Sequence, residues 1–128
     1  MPSNTLAPPP SDEQDLELWL QHAAGKLLLD ATRERARSKL PAHLSNEARA
    51  AALQAIDDAV YGLMQLLDGV TDPLANDEHY VALRTTAELR RSSDDSVQHA
   101  VDLQLGDGMC MGFHGWVEGD FGDQPLTD

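Results

Sequence analysis

The sequence predicts an α+β fold: two long N-terminal helices, paired as an antiparallel hairpin, packed on a small C-terminal antiparallel β-meander of about three to four strands. Three observations carry that prediction. Apolar residues recur at helical spacing from Leu16 to Leu67, the period switches to two after Tyr80, and glycines then crowd the C-terminal end. Helical and strand patterns are segregated along the chain instead of alternating, which separates α+β from α/β.

Residues 1–10, MPSNTLAPPP, hold four prolines and no charged side chain. They predict a flexible extended tail that docks on the surface or on a neighbouring subunit. A single domain is expected over residues 11–128. Ser11 with Gln14 three residues later is a capping-box pattern, and Asp12 and Glu13 suit the positive end of a helix. Behind it, Leu16, Trp19, Leu20, Ala23, Leu27 and Ala31 predict one apolar stripe. Arg33, Arg35, Arg37 and Lys39 suit the helix C-terminus, and Pro41 ends the helix.

A second helix is expected to start at Ser45 or Asn46, either of which can cap it. Its stripe runs through Ala48, Ala52, Leu53, Ile56, Ala59, Val60, Leu63, Met64 and Leu67, and Asp68-Gly69 closes it with a left-handed glycine. Residues 70–78 read as a loop. From Tyr80 to Arg91, Val81, Leu83, Thr85, Ala87 and Leu89 alternate with polar or small residues, the mark of a half-buried strand, with a third helix as the competing reading. Ser92 to Asp95 is a turn cluster, and Val97 to Leu105 alternates again as a second strand. Gly106-Asp107-Gly108 predicts a tight hairpin loop into a third strand, with Met109, Met111 and Phe113 on one face and Cys110 on the other. The glycines that follow predict bends or bulges.

Composition narrows the chemistry. The chain has 128 residues, one cysteine and a formal net charge of −13. One cysteine allows no internal disulfide, which suits a reducing compartment. The first ten residues lack the basic and apolar regions of a secretory leader, and no apolar run reaches membrane-span length, so a cytoplasmic protein is expected. Nucleic acid and anionic membranes both need a positive footprint and are not expected as partners; a basic protein is. The charge is polarised: after Arg91 there is no Lys or Arg, while Asp94, Asp95, Asp102, Asp107, Glu118, Asp120, Asp123 and Asp128 follow. The Arg33–Lys39 cluster is the one basic patch and is expected to face that acidic segment, within the chain or across a homodimer. The triplet Leu27-Leu28-Leu29 beside Trp19 gives the first helix more apolar width than one contact needs, which predicts the homodimer.

The segment from Gly106 to Asp123 is the best place for a site. The residues expected to bind a ligand or partner are His99, Asp107, Cys110, His114, Trp116, Glu118 and Asp120. Thiolate, imidazole and carboxylate could hold zinc. On a straight strand, however, Cys110 and His114 lie ~13 Å apart, so no metal or other cofactor is expected unless the chain bends at Gly112. Cys110 with His99 across the ladder is the easier nucleophile pair, but a lone cysteine more often serves as a small apolar side chain. The sequence has no phosphate loop, nucleophile elbow or dinucleotide fingerprint, and a non-enzymatic protein is expected.

Leu66-Leu67-Asp68-Gly69 after a long helix, followed by strands ending in Phe113-His114-Gly115-Trp116, resembles small bacterial α+β proteins of unknown function, over residues 45–122. Some of these are similar to immunity proteins of bacterial toxin systems. That resemblance implies an acidic binder of a toxin, and no catalytic residue.

Overall fold

The computed structural model describes residues 5–70, 74–105 and 108–120. Two long helices, α1 (Glu13–Ser38) and α2 (Asn46–Leu67), come first. A short ribbon follows, β1 (Leu74–Ala75) with β2 (Tyr80–Val81), then a second ribbon, β3 (Thr86–Arg90) with β4 (Val97–Asp102), and a short helix α3 (Met109–Trp116). The class is α+β, with the helix pair leading and the antiparallel strands behind it. No helix among the described residues is long and apolar enough to cross a membrane.

The helix ends follow local chemistry. Asp12, not Ser11, caps α1, its carboxylate accepting from the Asp15 amide at 3.1 Å. Ser45 caps α2 by accepting from the Ala48 amide at 3.1 Å. At the far end of α2 the Val70 amide bonds back to the Gln65 carbonyl and the Gly69 amide to that of Leu66, with Gly69 at φ +75°. That pair of bonds satisfies carbonyls that the helix end would leave bare, and it needs a left-handed residue.

The α1 stripe divides between two neighbours. Trp19 and Leu20 pack with Val101 and Leu89 of the β3–β4 ribbon. Ala24 and Leu29 join Val60, Met64 and Leu67 of α2, Leu103, and Met109, Phe113 and Trp116 of α3. Turning positions 25 and 29 towards α2 and α3 throws position 27 to the opposite side of the helix. Leu27, expected in the stripe, is therefore 73% exposed.

The C-terminal half departs from expectation in two places. The strand expected from Tyr80 to Arg91 is broken: Tyr80 and Val81 pair back with Ala75 and Leu74, inside the stretch read as a loop, and only Thr86–Arg90 pairs with β4. Ala87 and Leu89 turn inward as the alternation requires, whereas Val81 and Leu83 remain exposed. The turn over residues 92–95 is present, and Asp95 takes a positive φ of 59° within it. The larger correction is residues 109–116, which form a helix and not a third strand. Met109, Phe113 and Trp116 fall at i, i+4 and i+7 and are all buried, while Met111, the residue that suggested alternation, is 75% exposed. The hairpin loop expected at 106–108 falls largely outside the described residues.

Candidate functional site

Helix α3 has eight residues, two of them interior glycines, and begins at Gly108, which offers no side-chain cap. It is held from a distance. The Asp68 carboxylate accepts from the Met109 amide through Oδ1 and from the Cys110 amide through Oδ2, the latter at 2.8 Å. Asp68 thus ends α2 with its backbone and starts α3 with its side chain, placing negative charge where the α3 dipole favours it. Gly108, at φ +78°, has space only for hydrogen on that side, because a Cβ would lie 3.0 Å from Asp68 Oδ2.

The same carboxylate meets the Cys110 thiol, which also contacts the Tyr61 hydroxyl. Burial first, then the neighbouring Asp68, push the thiol up to about 11, against a smaller opposing pull from Tyr61. The Tyr61 hydroxyl is raised too, by the charge Cys110 would carry, by desolvation and by Asp68. A thiol so placed is protonated at neutral pH and is a poor nucleophile and a poor metal ligand. The stability sign follows. The folded state keeps these protons after the unfolded chain has lost them, so the contribution is present at neutral pH and is lost as pH rises from the ordinary thiol range through about 11. Melting temperatures measured across that alkaline window are expected to fall, and Cys110→Ala is expected to flatten the decline.

Trp116 is buried at the other end of α3. Its indole Nε1 donates to His22 Nδ1 at 3.0 Å, and the two rings meet edge-on with centroids 5.9 Å apart. The indole lies against Gly25 of α1 and Gly112 of its own helix. A Cβ on either would fall 2.3 or 2.2 Å from ring carbons. His114 is exposed on α3 and rests against the rings of Tyr61 and Phe113, at 5.5 and 5.6 Å.

The seven residues expected to form one site therefore separate. Cys110, His114 and Trp116 share α3. Glu118 and Asp120 are exposed just beyond it. His99 is on β4, with Nε2 3.8 Å from Glu17 Oε1 of α1. Asp107 lies outside the described residues. The helix removes the distance objection to a Cys110–His114 pair, since i and i+4 are neighbours on a helix face. Even so, no three His, Cys, Asp or Glu side chains come together to hold a metal among the described residues. Asp68, Tyr61 and His22 are the partners that the sequence reading missed. Asp68 was legible only as the end of α2, because its second role is made 41 residues downstream.

Among the described residues, Arg33 and Arg37 pair with Asp57 of α2, at 2.9 and 3.7 Å, inside the helix hairpin. The described part of the acidic C-terminal segment meets arginines around β3: Arg84 with Asp102 at 3.0 Å, Arg90 with Asp95 at 3.1 Å, and Arg91 with Asp94 at 3.9 Å.

A second feature lies on the other side of α1. Between α1 and β3 runs an apolar groove of about 420 Å³, walled by Trp19, Ala23, Leu27 and Leu28 and by the β3 backbone from Thr86 to Arg90. Leu6 of the tail lines it and takes part in an isolated β-bridge. Pro8, Pro9 and Pro10 follow two residues later and offer no amide hydrogens, so that pairing stops at once. Comparison of the chain with protein-family models, with curated proteins and with solved structures finds no match, and the reading of its function rests on this geometry.

Proposed function

We propose that the protein is a non-enzymatic binding module whose acidic surface recognises a basic protein. One observation supports this above the others: most of the cations are already engaged. Lys26, Arg33, Arg37, Arg84, Arg90 and Arg91 all stand in ion pairs within the chain, out of nine lysines and arginines against 22 acids. The excess charge is left to the surface, and Glu118 and Asp120 bring it to the exposed end of α3. With Arg33 and Arg37 turned to Asp57, half of the Arg33–Lys39 patch that nucleic acid would need is engaged within the chain. The residues with the best chemistry are committed to structure: Asp68 to a cap, Trp116 to His22, and the Cys110 thiol to a protonated state. An immunity-type role, with the acidic surface held against a basic toxin domain, is the specific form of this reading that the sequence resemblance suggests.

The test is retention on the immobilised full chain, followed by affinity measurement with the purified partner. The retained protein is expected to be basic and to lose affinity by about tenfold or more between about 0.1 M and about 0.5 M salt. Retention indifferent to salt, or of acidic proteins, would overturn the proposal.

A further inference from the structure

Among the described residues, two apolar surfaces are left largely open. The first is the β1–β2 ribbon. It meets no other helix or strand among the described residues. Leu74 is 81% exposed, Tyr80 69% and Val81 63%, and Leu83 beside them 57%. A ribbon with two residues per strand is too short to be stable by itself in water. Its tip is nevertheless fixed, with Asn76 Oδ1 accepting from the amides of Glu78 and His79 at 2.9 and 2.8 Å. The second surface is the groove between α1 and β3, where Leu27 is exposed, Leu6 is the one described tail residue in the lining, and β4 is the only strand in the sheet with β3 among the described residues.

We infer that the β1–β2 arm of one chain seats in the α1–β3 groove of a second copy, and that the two copies exchange arms reciprocally. Interface area selects this occupant. Each of the four exposed apolar side chains on the arm offers on the order of 100 Å², so one arm with its share of groove buries roughly 800 Å². That is the size of a weak contact. Two arms exchanged about a two-fold axis bury roughly twice as much, within the ~1,200–2,000 Å² of stable interfaces. A foreign strand entering one groove would gain only the single contact and would leave the arm bare. Of the described tail residues only Leu6 lines the groove, and the prolines after it cannot extend the pairing. Reciprocal exchange covers the arm, the groove and Leu27 in one contact.

This inference goes beyond the binding of a basic partner, and salt separates the two. Copies that each carry −13 repel one another, so screening strengthens self-association while it weakens capture of a basic protein. The experiment is sedimentation and light scattering of the full chain at about 100 µM, well above a micromolar dissociation constant, at low and at high salt. The expected mass is twice the 13.9 kDa of one chain, with a larger dimer fraction at high salt. Tyr80→Ser on the arm and Leu27→Glu in the groove are each expected to raise the dissociation constant by roughly tenfold or more. Both sites are exposed, so circular dichroism and melting of the dissociated chain are expected to match those of the wild type. A monomer at every concentration and salt, a dimer that survives both substitutions, or a mass that climbs past two copies would overturn the exchange.

Discussion

Trp116→Ala is expected to cost about 3–5 kcal/mol of folding stability, the range for deleting a large buried aromatic side chain. Trp116 is 2% exposed and is where α1, α2 and α3 share one cluster. Its loss leaves a void between two glycines and removes the hydrogen bond to His22. The sharper form of this prediction is reciprocal. Gly25→Ala places a methyl 2.3 Å from the indole, and the ring cannot yield because Gly112 confines it from the other side. Overpacking of this kind costs about 1–3 kcal/mol or more. In the Trp116→Ala background the same methyl enters the void and is expected to cost little. Urea unfolding of the two single variants and the double variant measures the coupling, with sign and size read from the cycle. If Gly25→Ala were equally harmful with and without the indole, the packing described here would be wrong.

Asp68→Ala is expected to be the most damaging surface-proximal change, at about 2 kcal/mol. It removes a charged acceptor from two backbone amides at the start of α3, where a neutral cap alone is worth about 1 kcal/mol. It also removes one of the influences holding the Cys110 thiol up, so alkylation of Cys110 is expected to begin at lower pH than in the wild type. Asp68→Asn keeps the shape and loses the charge, and it is expected to fall between the two in both measurements. Unchanged thiol reactivity in Asp68→Ala would contradict the contact between the carboxylate and the sulfur.

The legible parts of the fold were those whose cause is local. The α1 and α2 stripes are long, their caps lie within three residues of their partners, and Gly69 stands directly after its helix. The α3 helix was not legible, because its cap is Asp68 and its packing partner is Gly25, both far back in the sequence. Its glycines, which read as breakers, are there to admit the Trp116 ring. The site suffers from the same limit. A strand sets Cys110 and His114 ~13 Å apart, whereas the helix makes them i, i+4 neighbours, and His99 joins them only through a third strand that does not form. With a helix in that place, His99 faces Glu17 instead. The sign of the surface field was readable from counting, whereas which arginines neutralise which acids depended on the register of β3 against β4.

The double duty of Asp68 also sets an order of events for the growing chain. Eight residues with two glycines fall well short of the ~12–15 that an isolated helix needs in water. The spacing of Met109, Phe113 and Trp116 is helical, but that stripe has nothing to pack on within the segment itself. It must wait until α2 has ended at Asp68 and α1 has presented Gly25. The α3 helix therefore depends on both long helices, and gains its cap and its packing only once they are in place. A chain halted before Met109 would hold both long helices with the slot between them empty.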